Sequence, residues 1–535
     1  VTEPAPSDDL LDALIIGTGV AGILQLHRLR EQGRTVLAVD AAPGVGGTWN
    51  WNRYPGARVD SESYTYGYYF SEELLADWTW TEHFCSQPEN EAYLNHVVDR
   101  FGLREHIRLR TAVTAATYDD GTDTWTVRFD DGTHRRARFV ITAVGILSAP
   151  QYPAAPGRED FQGVSAHTAR WPHEPVEVEG RRVGVIGTGS SGVQLITAIA
   201  DRVGELTVFQ RTPNWCPPLN NGPLTAADMT DLRGRYQEIW AACQALGSVY
   251  AAPAHPASDL SPAQRRTFFE DLLDSKRGLA SLYANFVEVM VDPGLNREFA
   301  AVLADRIRAR VDDPAVAERL VPRHHFGVKR PPLETGYYEV YNRDNVTLVD
   351  LLEEPIERIT RTGVRTAAQD YDLDVLVYAT GFDAVTGSFD RIDITGARGV
   401  SHRDVWKAGA LTHVGVATPG FPNLLYVGGP QSLVGNIPRV VEHQVEFVSE
   451  LVGRALDDGV RRVEVTQEAA QAWTDHVEEV VDTTLYRTGQ SWMYGSNTPG
   501  KARAFGLYAG GLRAYVDRLN GIRADGYTGF VLSTS

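Results

Sequence analysis

Residues 12–16, Asp-Ala-Leu-Ile-Ile, form a short apolar run that stops at glycine. Such a run, bounded by a turn signal, reads as a buried strand. Gly17-Thr-Gly19-Val-Ala-Gly22 follows, then a helix-like stretch to about Gln32. A second apolar run, Thr35-Val-Leu-Ala-Val, ends at Asp40. Strand, glycine turn, helix, strand: the pattern predicts a βαβ unit. It returns as Arg182-Val-Gly-Val-Ile, Gly187-Thr188-Gly189-Ser190-Ser191-Gly192 and Leu206-Thr-Val-Phe-Gln210-Arg211. Two further apolar runs, residues 139–145 and 375–381, stop at small residues and glycine. They read as strands that return to the two units. Residues 224–320 change character. They are rich in Ala, Arg, Asp and Leu and mostly helical in spacing, so they read as an insertion in the second unit, a lid or brace. From about Val385 strand and helix mix again.

The expected fold is therefore α/β, with two Rossmann-like dinucleotide-binding domains and a helical insertion in the second. Residues 1–145 and 375–535 are assigned to the first domain. Residues 146–217 and 326–374 are assigned to the second, and 218–325 to the insertion. In each turn the first glycine permits a tight bend, the second lets the backbone approach a pyrophosphate, and the third lets helix and strand pack closely. Asp40 lies where a carboxylate accepts from ribose hydroxyls, which favours FAD or NAD. At the corresponding strand end the second unit carries Arg211 and no acid. A guanidinium pairs with a 2′-phosphate, so that unit favours NADPH. The other reading of Arg211 is a solvated strand-end arginine.

Composition narrows the partners. Lys plus Arg is 51 and Asp plus Glu is 69, a formal net charge of −18. That balance argues against a nucleic-acid partner or an anionic membrane surface. Hydrophobic residues make up 43%, enough for a full core. The three cysteines form no C-x-x-C, which excludes a dithiol centre and a cysteine metal site, so no metal is expected. They suit a reducing cytoplasm. No apolar run reaches the roughly 20 residues of a membrane span. The acidic residues 1–12 read as a short arm and not as a signal peptide.

Two segments carry chemistry. Gly46-Gly47-Thr48-Trp49-Asn-Trp51-Asn-Arg53-Tyr54-Pro55-Gly56-Ala-Arg58-Val-Asp60 is a compact loop whose aromatics can stack on a flat ring system. Phe161-Gln-Gly163-Val-Ser-Ala-His167-Thr-Ala-Arg-Trp171-Pro172 lies between the two units. It is too polar for a core strand and too patterned for an idle linker. In both segments, and over nearly the whole chain, the sequence resembles the type I Baeyer–Villiger monooxygenases. Residues 161–172 match that family's F-x-G-x-x-x-H-x-x-x-W-P fingerprint. Residues 46–60 match its G-G-x-W-x-x-x-x-Y-P-G-x-x-x-D signature. Related flavin-containing monooxygenases usually carry Tyr in place of Trp171.

The resemblance implies FAD and NADPH as cofactors, with molecular oxygen and a small-molecule ketone as reactants. NADPH reduces the flavin, oxygen adds to give a peroxyflavin, and its anion attacks the ketone, yielding an ester or lactone. Lys329-Arg330-Pro331-Pro332 supplies the cations. Pro331 pushes Arg330 into extended geometry, where neighbouring side chains point to opposite sides. Lys329 is assigned with Arg211 to the 2′-phosphate. Arg330 is assigned to the peroxide and the developing alkoxide, with Asp60 beside it. The candidate cofactor-binding set is Gly17, Gly19, Gly22, Asp40, Gly47, Thr48, Trp49, Arg58, Tyr66, Val113, Gly187, Thr188, Gly189, Ser190, Ser191, Gly192, Arg211, Thr212, Lys329 and Trp492. Trp492 reads either as a nicotinamide neighbour or as core packing. His167 reads as a hinge between domains more than as an acid or base. Leu433, Asn436 and Ile437, in the loop after the strand near 424–428, are expected in the ketone pocket. The alternative function is nitrogen or sulfur oxidation by the same flavin chemistry. A disulfide reductase is disfavoured by the missing C-x-x-C, and a flavin-binding module without activity by the second nucleotide site.

Overall fold

The computed structural model describes residues 10–432 and 435–534, so residues 1–9 of the expected arm and Leu433 lie outside the described residues. The chain opens with β1 (Leu11–Ile16), the helix Val20–Glu31 and β2 (Val36–Val39). β1 and β2 pair in parallel, from Ala13 beside Val36 to Ile16 beside Val39. The last four residues of β1 are all buried, because a strand covered on both faces needs a continuous apolar run. β3 (Ile107–Arg108) extends the sheet past β2. β4 (Val113–Asp119), β5 (Thr124–Phe129) and β6 (His134–Thr142) follow as an antiparallel meander. β6 serves both parts of the sheet. Its residues 134–137 pair with β5, and 137–142 pair in parallel with β1.

The second sheet begins with β7 (Val164–His167), β8 (Arg182–Ile186), β9 (Glu205–Gln210) and β10 (Val346–Asp350). β11 (Ile356–Ile359), β12 (Gly363–Thr366) and β13 (Asp370–Asp372) form a small antiparallel sheet beside it. β14 (Val375–Tyr378) then enters between β8 and β7, giving the parallel order β10-β9-β8-β14-β7. This corrects the expected boundary at 375. Val375 pairs with Val183 on one side and Val164 on the other, so the strand belongs to the second sheet. Four buried apolar residues carry no mark of which sheet they join. The chain returns to the first sheet with β15 (Asp393–Thr395) on β4 and β16 (Leu424–Tyr426) on β6. β17 (Arg462–Val465) and β18 (Phe530–Ser533) close the chain as an antiparallel pair.

Between β9 and β10 the chain is helical. Thr225 with Asp228 and Ser261 with Gln264 form capping boxes that start the helices Ala226–Gly234 and Pro262–Ser275. Asp292 and Asp313 cap Pro293–Arg310 and Pro314–Leu320, each with proline at the first position. The packing of this segment divides. Leu232, Tyr236, Ile239 and Cys243 join the core of the first sheet, while Phe269, Leu273, Phe299 and Leu303 join that of the second. The segment therefore braces both sheets and is not an annex of one. The helix Ile437–Asp457 lies against Val20–Glu31 and buries Phe447, Val448 and Leu451, each worth roughly 1.5–3 kcal/mol relative to exposure. No helix among the described residues is long and apolar enough to cross a membrane.

Candidate active site

The carboxyl ends of β1, β2, β6 and β16, and those of β8, β9, β10 and β14, open on one cavity of about 1370 Å³. Ligands of open parallel sheets gather at such ends. Each sheet contributes one glycine turn. At Gly17 φ is +106° and at Gly187 +108°, a region that favours glycine. A methyl group at Gly22 would run into the Gly17 carbonyl oxygen, and one at Gly192 into that of Gly187. Gly22 and Gly192 thus act under the turns and do not line the cavity. Helices Val20–Glu31 and Ser190–Ile199 start at Gly19 and Gly189, with no acidic residue in the first turn and no side-chain cap. Their first N–H groups are available to an anion. Gly47, at φ +54°, closes over the first turn: a methyl on it would lie 2.8 Å from the Gly19 Cα.

The two turns differ in charge. Asp40 accepts from the Thr18 N–H at 2.7 Å, the Thr18 hydroxyl at 2.9 Å and the Ala42 N–H at 2.8 Å. A carboxylate offers about four lone-pair sites, so one remains for a ribose hydroxyl. Arg211 and Lys329 line the other end of the cavity. Among the described residues neither has an ion-pair partner. Burial, and then Arg211 nearby, push the Lys329 amine below its ordinary value. Two cations held together without a counter-ion fit a bound phosphate.

Arg330 also lines the cavity but pairs with Asp60. Its two terminal nitrogens grip the two oxygens of Asp60, one bond at 2.6 Å, and Nη1 also donates to the Pro331 carbonyl at 3.0 Å. Burial opposes the charged guanidinium, but Asp60 outweighs it and Arg330 holds its proton more firmly than usual. Its side chain remains 31% exposed and lines the cavity. The result is a fixed cation aimed by a carboxylate, with donor capacity left for a developing oxyanion.

Thr48, Trp49, Tyr66, Val113, Thr188, Ser190, Ser191, Thr212 and Trp492 also line the cavity. Trp49 donates from Nε1 to the Tyr66 hydroxyl at 3.3 Å, with the rings edge-on at 5.8 Å. Trp492 lines the cavity and packs partly on the main core. Arg58 lines the wall, but its guanidinium is taken up by Glu82 at 2.7 Å and the Phe84 carbonyl at 3.1 Å. Ile437 lines the cavity and Asn436 does not. Asn436 turns away because its amide is buried and donates to the Thr65 hydroxyl at 2.8 Å and to its carbonyl at 3.2 Å. Leu433 lies outside the described residues.

His167 ends β7 and is buried outside the cavity. Its Nδ1 accepts from the Ala169 N–H at 3.0 Å, so the proton of the neutral ring sits on Nε2 and is donated to the Gln151 carbonyl at 3.1 Å. Burial chiefly, with Arg170 and Arg158, lowers its pKa. The Thr380 hydroxyl donates to the same carbonyl at 2.5 Å. His167 thus pins the two segments that cross between the sheets. Several wall residues carried no recognised sequence signal. Gln194 accepts from the Tyr54 hydroxyl at 2.8 Å and donates to the Arg58 carbonyl at 3.1 Å, joining the first sheet's loop to the second sheet's helix. Asn214 donates to the Arg330 carbonyl at 2.9 Å. Gln194 lies two residues past the second glycine turn and Asn214 three past Arg211, and neither position is marked by its residue type.

Known proteins match this arrangement. The family model for pyridine nucleotide-disulphide oxidoreductases matches residues 14–223. The acetone monooxygenase (methyl acetate-forming) of Gordonia sp. is 42% identical over 534 residues, covering 98% of this chain and 100% of that one. A Baeyer–Villiger monooxygenase of Pseudooceanicola batsensis is 39% identical, covering 97% and 96%. The crystal structure of cyclohexanone monooxygenase from Rhodococcus sp. Phi1 bound to NADP+ is 41% identical, covers 99% of this chain and 100% of that one, and superposes with a TM-score of 0.97. With relatives about two-fifths identical over nearly the whole of both chains, the chain belongs to the Baeyer–Villiger monooxygenase family.

Proposed function

We propose that the protein converts a ketone, molecular oxygen and NADPH with a proton into an ester or lactone, NADP+ and water. The observation that carries this reading is the Arg330–Asp60 pair, set on the cavity between two dinucleotide turns of opposite charge. FAD takes the Asp40 turn and NADPH the Arg211 turn. Bound flavin supplies the route by which hydride electrons reach oxygen. The protein does the rest. The first N–H groups of Val20–Glu31 bind a pyrophosphate, and Asp40 accepts from the ribose. Arg211 and Lys329 bind the 2′-phosphate of the coenzyme. Arg330 holds negative charge on the oxygen that attacks and on the former carbonyl oxygen. Asp60 fixes the guanidinium plane so that it need not reorganise as that charge appears. His167, neutral, pins the crossing segments on which the two sheets turn. Ile437, Val440 and Val441 offer an apolar wall to the ketone. Three buried, unpaired cysteines suit the cytoplasm.

The test is oxygen uptake and NADPH oxidation with a panel of cyclic, aliphatic and aryl ketones, with products identified under labelled oxygen. Ester carrying one labelled atom is expected. Oxides of nitrogen or sulfur compounds, with no ester from any ketone, would overturn the reading.

A further inference from the structure

Asn214 stands three residues beyond Arg211, on the segment leaving β9, and lines the cavity. Its Oδ1 accepts from the Trp215 N–H at 2.9 Å, and its Nδ2 donates to the Arg330 carbonyl at 2.9 Å. A backbone N–H can only donate and a carbonyl can only accept, so these partners fix which way the amide points. The His324 Nε2, 3.3 Å from the same Oδ1, must then be a donor. Burial, then Lys329 and His325, bring the His324 pKa down to about 4, so in the neutral range the ring is uncharged and this bond places its one proton on Nε2. The Trp215 indole donates to the His324 carbonyl at 2.8 Å and ties the ring's own backbone to the same segment.

Lys329 and Arg330 need such an anchor. They belong to no strand or helix, and the residue after them is proline, which brings no N–H of its own. Among the described residues, the bond from Asn214 is the only hydrogen bond to the main chain of these two residues. The side chain of Arg330 is fixed by Asp60 from the first sheet's loop. Its main chain is fixed by Asn214 from the second sheet's phosphate-reading segment. We propose that Asn214 is a positioning residue that couples the coenzyme cations Arg211 and Lys329 to the aim of Arg330. The proposal rests on the oxygenating function proposed above. A shift of about 1 Å in a reacting group can cost on the order of 100-fold in rate.

Asn214→Asp keeps the shape and the acceptor facing Trp215 and His324, and turns the donor facing the Arg330 carbonyl into a second acceptor. Asn214→Ala removes both. Three readouts are compared with the parent: NADP+ affinity by calorimetry, the rate of tryptic cleavage after Lys329, and the ratio of hydrogen peroxide to ester formed per NADPH. Both variants are expected to retain FAD and to bind NADP+ within about threefold, to be cut faster after Lys329, and to raise the peroxide-to-ester ratio about tenfold or more. A ratio within about twofold of the parent, an unchanged cleavage rate, or loss of FAD by both variants would overturn the proposal, since a residue that only aims Arg330 should spare the flavin. If the parent makes no ester from any ketone, the functional reading fails while the cleavage rate still reports on Asn214.

Discussion

At Gly19 the backbone enters its helix with φ −78° and ψ −168°; at Gly189 the angles are −80° and −172°. A methyl at Gly17 would meet the Ala143 carbonyl oxygen at 2.5 Å, and one at Gly187 would meet that of Ala379 at 2.5 Å. The two turns are backbone copies, yet their surroundings are not. A methyl on Gly19 would lie 3.4 Å from the Gly47 Cα, whereas around Gly189 there is nothing within 4 Å. Asp40 is bonded into its loop by three donors, whereas Arg211 has no ion-pair partner among the described residues. One site is closed and internally satisfied; the other is open and electrostatically incomplete. That is the difference expected between a resident cofactor and a coenzyme that exchanges in every turnover. We infer that the backbone motif supplies a place for a diphosphate and that the residues around it decide which nucleotide enters and how firmly it stays.

The sharpest way to break the comparison is to place the same methyl group at the same position of both turns. Gly19→Ala puts its methyl 3.4 Å from the Gly47 Cα, on the side where the chain closes over the turn, and should yield protein depleted of FAD. Gly189→Ala has room for its methyl at an ordinary φ and should keep fold and FAD while raising only the KM for NADPH. Flavin absorbance per protein and the melting temperature check both. A Gly19→Ala protein as fully loaded with FAD as the parent would break the comparison.

Arg330 belongs to neither turn, so its loss should leave both sites filled. Losing an aimed donor typically costs ~10²–10³ in rate. Arg330→Ala should bind FAD and be reduced by NADPH, then release hydrogen peroxide in place of ester. Stopped-flow absorbance with product analysis would show this. Ester at near-parent rate would remove Arg330 from the mechanism.

A smaller effect sharpens the charge difference. A hydrogen bond to a charged group is worth about 1.5–3 kcal/mol, so Arg211→Ala or Lys329→Ala should lower kcat/KM for NADPH roughly 10–100-fold and leave NADH almost unchanged. Equal losses for both coenzymes would mean that the cations do not read the phosphate. The smallest effect is on pH dependence. Burial and Arg211 lower the Lys329 pKa, and phosphate binding needs the charged amine. The KM for NADPH should therefore rise as pH climbs through that depressed value. In Arg211→Ala the rise should come at higher pH, because one of its two causes is gone. A profile that does not move would assign the pH dependence to another group.

Much of this was legible in the chain, for reasons that differ by element. Gly17, Gly19, Gly22 and their counterparts carry their roles in their spacing, because a tight turn between strand and helix admits few other residues. Asp40 and Arg211 could be read from their place at strand ends. Different roles for Lys329 and Arg330 were suggested by the proline that follows them, and in the structure Lys329 sits near Arg211 while Arg330 pairs with Asp60. Tertiary choice was not legible. The strand Val375–Tyr378 is equally apolar for either sheet, and only its neighbours Val164 and Val183 decide. Asn436 lies in the expected loop, but Thr65, 371 residues away in sequence, holds its buried amide away from the cavity. Asn214 and Gln194 bond to main-chain carbonyls, which leave no residue signature at their own positions.

Charge around the two copied turns is expected to sort the two nucleotides. The direct measurement is calorimetric binding of NADP+ and NAD+ to the FAD-loaded protein and to the Arg211→Ala/Lys329→Ala double variant. The parent should bind NADP+ at least about tenfold more tightly than NAD+, and the double variant should bind the two alike. Equal affinity in the parent, or a preference for NADP+ that survives the double substitution, would contradict it.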